Sequence, residues 1–271
     1  MCSFEAPVNL GSTLNTIGFD GGPAPSGDGL RLYFVSDRPG GQGGGDIWVA
    51  ERASLDAPFG MPDDLGPGVN DESNEGAPSL TTDELTLFFD RDDGGIWMAR
   101  RQAVGAPFGE AERLGEPVDT QFGTGFPALS SDGRTLYFAS ARPGGEGDMD
   151  IWRAVRPSVD ESFDTVENIG SPVNGASADA MATLSADDRR IVFASRRQGG
   201  AGDWDLWIAA RPDAEATFGT PLNLGPGVNS AGFEGRPHLS SDGSILFFMS
   251  DRPGGHGGVD LWLVPADCGR P

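Results

Sequence analysis

Five tryptophans, Trp48, Trp97, Trp152, Trp207 and Trp262, stand 49, 55, 55 and 55 residues apart. A unit of that length cannot bury its apolar face alone, so the period implies supersecondary units stacked on one another. Each of the first four tryptophans is followed eleven residues later by a phenylalanine: Phe59, Phe108, Phe163 and Phe218. The fifth has only nine residues after it, and its phenylalanine is found at the other end of the chain. Phe4 opens FEAPVNLG, which matches FGTPLNLG from Phe218, and lies 44 residues before Trp48. The same interval separates Phe108 from Trp152, Phe163 from Trp207 and Phe218 from Trp262. The first residues therefore complete the last repeat, as in a ring closed by an N-terminal strand; an open solenoid would carry atypical capping repeats instead.

Four short strands fit each repeat: a near 126–130 (FPALS), b at 135–140 (TLYFAS), c at 150–155 (DIWRAV) and d near 166–170 (VENIG). Strand b carries a phenylalanine at one fixed position (Phe34, Phe89, Phe138, Phe193, Phe248), and aromatic and β-branched residues favour such strands. No helical period competes. The a–b turn carries Ser or Thr and then, two residues on, an aspartate in all five copies (Asp28, Asp83, Asp132, Asp187 and Asp242), and three of these are followed by glycine in the hairpin pattern. The expectation is all-β: a single five-bladed propeller over residues 1–271, with four-stranded antiparallel blades and a shortened second repeat.

The 42 glycines and 21 prolines recur at fixed positions, which sets disorder aside. The net charge of −22, with every basic residue an arginine, excludes nucleic acid and anionic membrane surfaces as partners and leaves cations or a basic protein. No run of 18 apolar residues marks a transmembrane helix and no signal peptide is visible. Without lysine there is no Schiff-base chemistry, and His238 and His256 are the only imidazoles. There is no GxSxG elbow, no nucleotide-binding loop and no zinc spacing.

The segment SSDGRTLYFASARPGGEGDMDIW (130–152) resembles the WD40-like β-propeller repeat of TolB-type proteins, and the SDRPGG…DIW form at 36–48, echoed at 250–262, is similar to repeats beside peptidoglycan-associated domains in bacterial envelope proteins. The resemblance spans nearly the whole chain in five copies. It implies a propeller working outside the cytoplasm, periplasmic, cell-surface or secreted. TolB itself resembles a six-bladed propeller with a further domain, and five repeats are present here.

Cys2 and Cys268 map to the same c–d loop, where the chain ends meet, so a disulfide locking the ring is expected; a free pair of thiols or a lipidated Cys2 are the alternatives. The d–a and b–c loops share one face, the expected site of function. Ten residues after the Leu or Ile that ends strand d stand Asp20, Glu75, Thr124, Asp179 and Glu234. The four carboxylates are read as an acidic channel mouth able to hold Ca²⁺ or a basic partner side chain; the alternative is that each caps backbone N–H groups or pairs with an arginine of its own blade. The glycine-rich b–c loops are expected to close by Arg–Asp pairs (Arg38–Asp46, Arg142–Asp150, Arg197–Asp205, Arg252–Asp260) and to offer Gln42, Glu146, Trp204 and His256 as contacts.

These features point to a non-enzymatic binding or scaffold propeller, monomeric, with a protein or basic peptide as partner. The enzymatic alternative is a glycosidase, since some five-bladed propellers resemble that class; it needs two carboxylates in different roles. Asp119, where other repeats have Asn15, Asn70, Asn174 and Asn229, and Phe19, Phe122, Phe126 and Phe233 keep it in view. A calcium-stabilised structural module is the remaining alternative.

Overall fold

Alternation of side chains along each strand decides which blade interface a residue serves. In the computed structural model, which describes residues 3–267, Leu32 and Phe34 pack with Trp48 against Phe247 and Leu261 of the blade before. Val35 and Ile47, facing the other way, join Leu87, Phe89 and Phe108 of the blade after. The core is accordingly five apolar clusters, one between each pair of neighbouring blades.

The described residues form five four-stranded antiparallel blades and no helix. Strand a is Asp20–Pro25, Glu75–Leu80, Gly125–Leu129, Asp179–Leu184 and Glu234–Leu239 in blades 1 to 5. Strand b is Arg31–Ser36, Thr86–Arg91, Thr135–Ser140, Arg190–Ser195 and Ile245–Ser250. Strand c is Asp46–Glu51, Gly95–Arg100, Asp150–Val155, Asp205–Ala210 and Asp260–Asp267. Strand d is short: Asp63–Asp64, Glu112–Arg113, Thr165–Asn168 and Leu222–Asn223. The outer strand of blade 5 comes from the start of the chain, Ser3–Phe4 pairing Asp267 and Ala266, and Val8–Asn9 pairing Leu263 and Trp262. The five-bladed ring and its closure are as expected. The cysteine pair lies outside the described residues.

Strand d is short because an asparagine takes over its pairing. Asn174 accepts the Ile151 N–H at 3.0 Å and donates to the Ile151 carbonyl at 2.8 Å. Asn15, Asn70 and Asn229 do the same to Leu261, Ile47 and Leu206.

The a–b turn aspartates cap as expected. Asp28 accepts the Ser26 hydroxyl at 2.6 Å and the Leu30 N–H at 2.9 Å, and the other four repeat the arrangement. In blades 2 and 4 the glycine after this aspartate is replaced by Glu84 and Asp188, both with positive φ. Each carboxylate reaches the preceding blade. Glu84 takes the Arg31 guanidinium at 2.8 Å and the Tyr33 hydroxyl at 2.9 Å, and Asp188 takes the Ser131 hydroxyl at 2.9 Å. The strain of a left-handed non-glycine residue, about 1–2 kcal/mol, is offset by these cross-blade bonds.

Every inner strand carries a bulge after its second residue or nearby, where the register to strand b shifts. The bulged residue has positive φ in all five blades: Gly22, Ala77, Phe126, Met181 and Arg236. A bulge re-aims its side chain, and here these positions line the central channel.

Candidate functional site at the channel mouth

The four repeated carboxylates do not face the channel, which corrects the acidic-mouth expectation. The side chains of Asp20, Glu75, Asp179 and Glu234 have no exposed surface. Each pairs with the arginine just after its own strand b or ending it: Asp20 with Arg38 at 2.9 Å, Glu75 with Arg91 at 3.0 Å, Asp179 with Arg197 at 2.5 Å, and Glu234 with Arg252 at 3.0 Å. Strand b adds a serine hydroxyl, Ser36 to Asp20 at 2.6 Å and Ser250 to Glu234 at 2.8 Å. The d–a loop adds a backbone N–H, from Thr16, Gly175 and Ser230. The arginine lies over the aromatic pair of strands b and c, as Arg197 does over Phe193 (4.9 Å) and Trp207 (5.3 Å), and donates to a d–a loop carbonyl. The carboxylate, placed at the start of strand a, thus finds its partners inside the blade. Its oxygens are used up there and are not free for Ca²⁺ or a partner's basic group. Burial pushes Asp179 above the usual carboxylate range and Glu75 up to about 8, Arg91 opposing the shift in Glu75. Blade 3 has Thr124 instead, whose hydroxyl meets the Val118 carbonyl at 3.3 Å and Arg142 at 3.5 Å.

The expected Arg–Asp clasps of the b–c loops do not form either, because the arginines serve this clamp. Asp46, Asp150, Asp205 and Asp260 are buried and cap the loop backbone, as Asp46 does for Gln42 N–H at 2.9 Å and Gly43 N–H at 3.1 Å. A Cβ on Gly145 or Gly200 would stand 1.8 Å from the capping aspartate, so those positions require glycine. At the loop tips Gln42, Glu146 and His256 are exposed. Trp204 is half-buried, packing on blade 5 beneath Arg196, 5.4 Å from its ring. Asp119 is structural too: it accepts the Ile96 N–H at 3.0 Å and pairs with Arg113 at 3.0 Å, where other blades set an asparagine beside Asn or Asp.

The asymmetry of the ring comes from blade 2. Its b–c loop is six residues shorter, and a cavity of about 590 Å³ opens on this face between blades 1, 2 and 3. Phe19, Asp37, Asn74, Asp92 and Phe122 stand around it, with Asp90, Phe126 and Arg236 at depth. The rim aspartates hold the d–a loops, Asp37 accepting the Phe19 N–H at 2.9 Å and Asp92 the Asn74 N–H at 3.3 Å and its side-chain amide at 2.7 Å.

Asp90 and Arg236 were not among the residues expected at the site. Asp90 occupies a strand b position that is Val35, Ala139, Ala194 and Met249 in the other blades. Its Oδ2 accepts the Phe126 N–H of blade 3 at 2.7 Å. Arg236 reaches across the channel from blade 5, its guanidinium 5.0 Å from the Phe126 ring centroid. Its Nε and Nη1 are buried without a hydrogen-bond partner, and desolvation lowers its pKa. Toward the opposite end of the channel, burial pulls His238 down to about 4. Alignment of the repeats carries the signal for both: TLFFDR is the one strand b with a charge at its penultimate position, and EGRPHL the one strand a with a charge past its first.

No family model matches the chain, and no curated protein sequence matches it. Among solved structures, TolB from Acinetobacter baumannii superposes with a TM-score of 0.57 at 19% identity, over 95% of this chain and 57% of that one. The chain thus spans little more than half the length of that TolB. A putative TolB from Agrobacterium tumefaciens gives 0.55 at 14% identity over 98% and 97% of the two chains. The α-L-arabinofuranosidase PaAbf62A from Podospora anserina, in complex with cellotriose, gives 0.57 at 12% identity over 98% and 96%. At these identities the likeness is one of fold. Among the described residues no helix is long and apolar enough to cross a membrane.

Proposed function

We propose that the protein is a non-catalytic binding propeller, acting outside the cytoplasm, that receives a basic segment of a partner protein on the face carrying the d–a and b–c loops. The observation that carries this reading is the fate of the acids. The acids repeated at the start of strand a are consumed by the fold, while Asp37 and Asp92 stay exposed at the rim of the cavity and Glu72 and Asp251 stay exposed on loops of the same face. Arginines of the same face are largely tied up: Arg38, Arg91, Arg197 and Arg252 in the clamps and Arg196 with Asp203 at 2.6 Å. A face of that sign steers a cationic partner and weakens it with salt. The TolB-like neighbours are consistent with a binding role.

Glycoside hydrolysis is the second reading, favoured by the arabinofuranosidase neighbour and by Asp90 at depth in an open cavity. It requires a second carboxylate of different environment facing the first. Titration calorimetry with an arginine-rich peptide at low and high salt, beside a polysaccharide hydrolysis screen, separates the two. Salt-sensitive binding weakened by Asp37→Asn with Asp92→Asn supports the platform. Product release abolished by Asp90→Asn, with no peptide binding, overturns it.

A further inference from the structure

Asp90 and Arg236 face one another at the floor of the cavity across a gap that no side chain fills. A Cβ built on Gly76 would stand 2.2 Å from Asp90 Oδ1, 3.2 Å from Arg236 Nη2 and 3.3 Å from Arg236 Nη1. Gly76 has no positive φ, so its missing side chain answers no backbone need. Asp90 and Arg236 attract one another without reaching ion-pair contact. Asp90 Oδ2 is held by the Phe126 N–H, whereas Oδ1 accepts from no described residue. On the guanidinium, Nε and Nη1 are sealed off, and Nη2 is the nitrogen left facing the gap. All three residues line the same open cavity, with Phe19, Phe122 and Phe126 around it, and Phe122 is 45% exposed.

An acceptor alone and a donor alone therefore meet across one gap. A carboxylate entering it is bound by Arg236 and repelled by Asp90, and an ammonium suffers the reverse. A hydroxyl donates to Oδ1 and accepts from Nη2 at once, without net charge. The cavity holds more than one hydroxyl-bearing ring, and exposed phenylalanine faces suit the C–H face of a sugar. We propose that the floor of this cavity is a recognition site for a neutral saccharide, one hydroxyl of which bridges Asp90 and Arg236. The site is lectin-like: its carboxylate is opposed by a guanidinium and not by a second carboxylate. It goes beyond the partner-binding reading and stands or falls separately from it.

The test is saturation-transfer NMR and calorimetry of the full chain with xylose, arabinose, glucose and their neutral trisaccharides, with glucuronic acid and glucosamine as charged counterparts. Binding of at least one neutral sugar in preference to both charged ones is expected. Gly76→Ala, whose methyl group collides with Asp90 Oδ1 and displaces it, and Asp90→Asn should each weaken it by about tenfold or more, the scale of a lost charge-assisted hydrogen bond. Binding of the arginine-rich peptide to Gly76→Ala should be unchanged, which also shows that this variant is folded and keeps the two readings apart. No neutral sugar bound at millimolar concentration, tighter binding of a charged sugar, or undiminished binding by Gly76→Ala with Asp90→Asn would overturn the proposal and leave the gap to a bridging water only.

Discussion

Two positions on strand a, two residues apart, obey opposite rules. At its start four blades of five carry Asp or Glu, bound in the same way to the same blade's arginine. At the bulge all five share one backbone conformation and hold five different residues, Gly22, Ala77, Phe126, Met181 and Arg236. The first position faces the interior of a blade, where each blade poses the same problem and takes the same solution. The second faces the channel, where the five positions meet around one shared space and four side chains of different size line it. In a ring of repeats, agreement between copies marks what a blade needs, and disagreement at fixed geometry marks what the ring as a whole presents.

The comparison can be broken most forcefully at the clamp. Asp20→Ala leaves Arg38 buried without its anion and should cost about 3–5 kcal/mol, roughly 10 °C in melting temperature. A change within 2 °C or so would mean the clamp is dispensable. Next is the asparagine that stands in for strand d. Asn174→Ala removes two buried hydrogen bonds and should cost about 2 kcal/mol by denaturant titration.

Channel residues should respond through solvation. His238 is held neutral by burial, its pKa lowered to about 4 from an ordinary value of 6.5. The unfolded chain then binds the extra proton first as pH falls, so this contribution to stability is complete above about 6.5 and is lost as pH falls toward about 4. His238→Gln should flatten that part of the stability–pH curve and leave the rest in place.

Smaller effects sharpen the comparison from both sides. Blade 3 lacks the acid of the clamp, and desolvation lowers the pKa of its Arg142. Thr124→Asp should supply the missing partner and stabilise by about 1 kcal/mol, seen as a raised melting temperature. Ala77→Gly at the bulge should relieve left-handed strain against the entropy of glycine, for a net gain of about 0.5 kcal/mol. A loss of similar size would show that the Ala77 methyl contributes packing.

The ring was readable from the chain because its evidence is periodic: Trp48 through Trp262 set the blade, and Phe4 placed the closing strand. The clamp was half readable. The repeated acids and the repeated arginines were both visible, but which acid meets which arginine depends on how the d–a loop folds back over strand b, and that is a tertiary fact. The loop spacing pairs Arg38 with Asp46, eight residues on, whereas the fold sets it against Asp20. The cavity was readable only as its cause, the six residues missing from blade 2. Asp90 and Arg236 escaped because searching for what recurs passes over what occurs once.

The strand that completes blade 5 has a kinetic consequence. Phe4 and Asn9 pair with residues about 250 positions later, so the first strand made has no partner until nearly the whole chain is present. Loop-closure entropy grows only logarithmically, so the free-energy cost over an ordinary blade is near 1 kcal/mol. The cost in time is larger, since non-local pairing slows folding and leaves sheet edges unpaired meanwhile. Refolding should therefore end in a slow phase that a permuted chain, opened at another c–d loop, displays at a different blade.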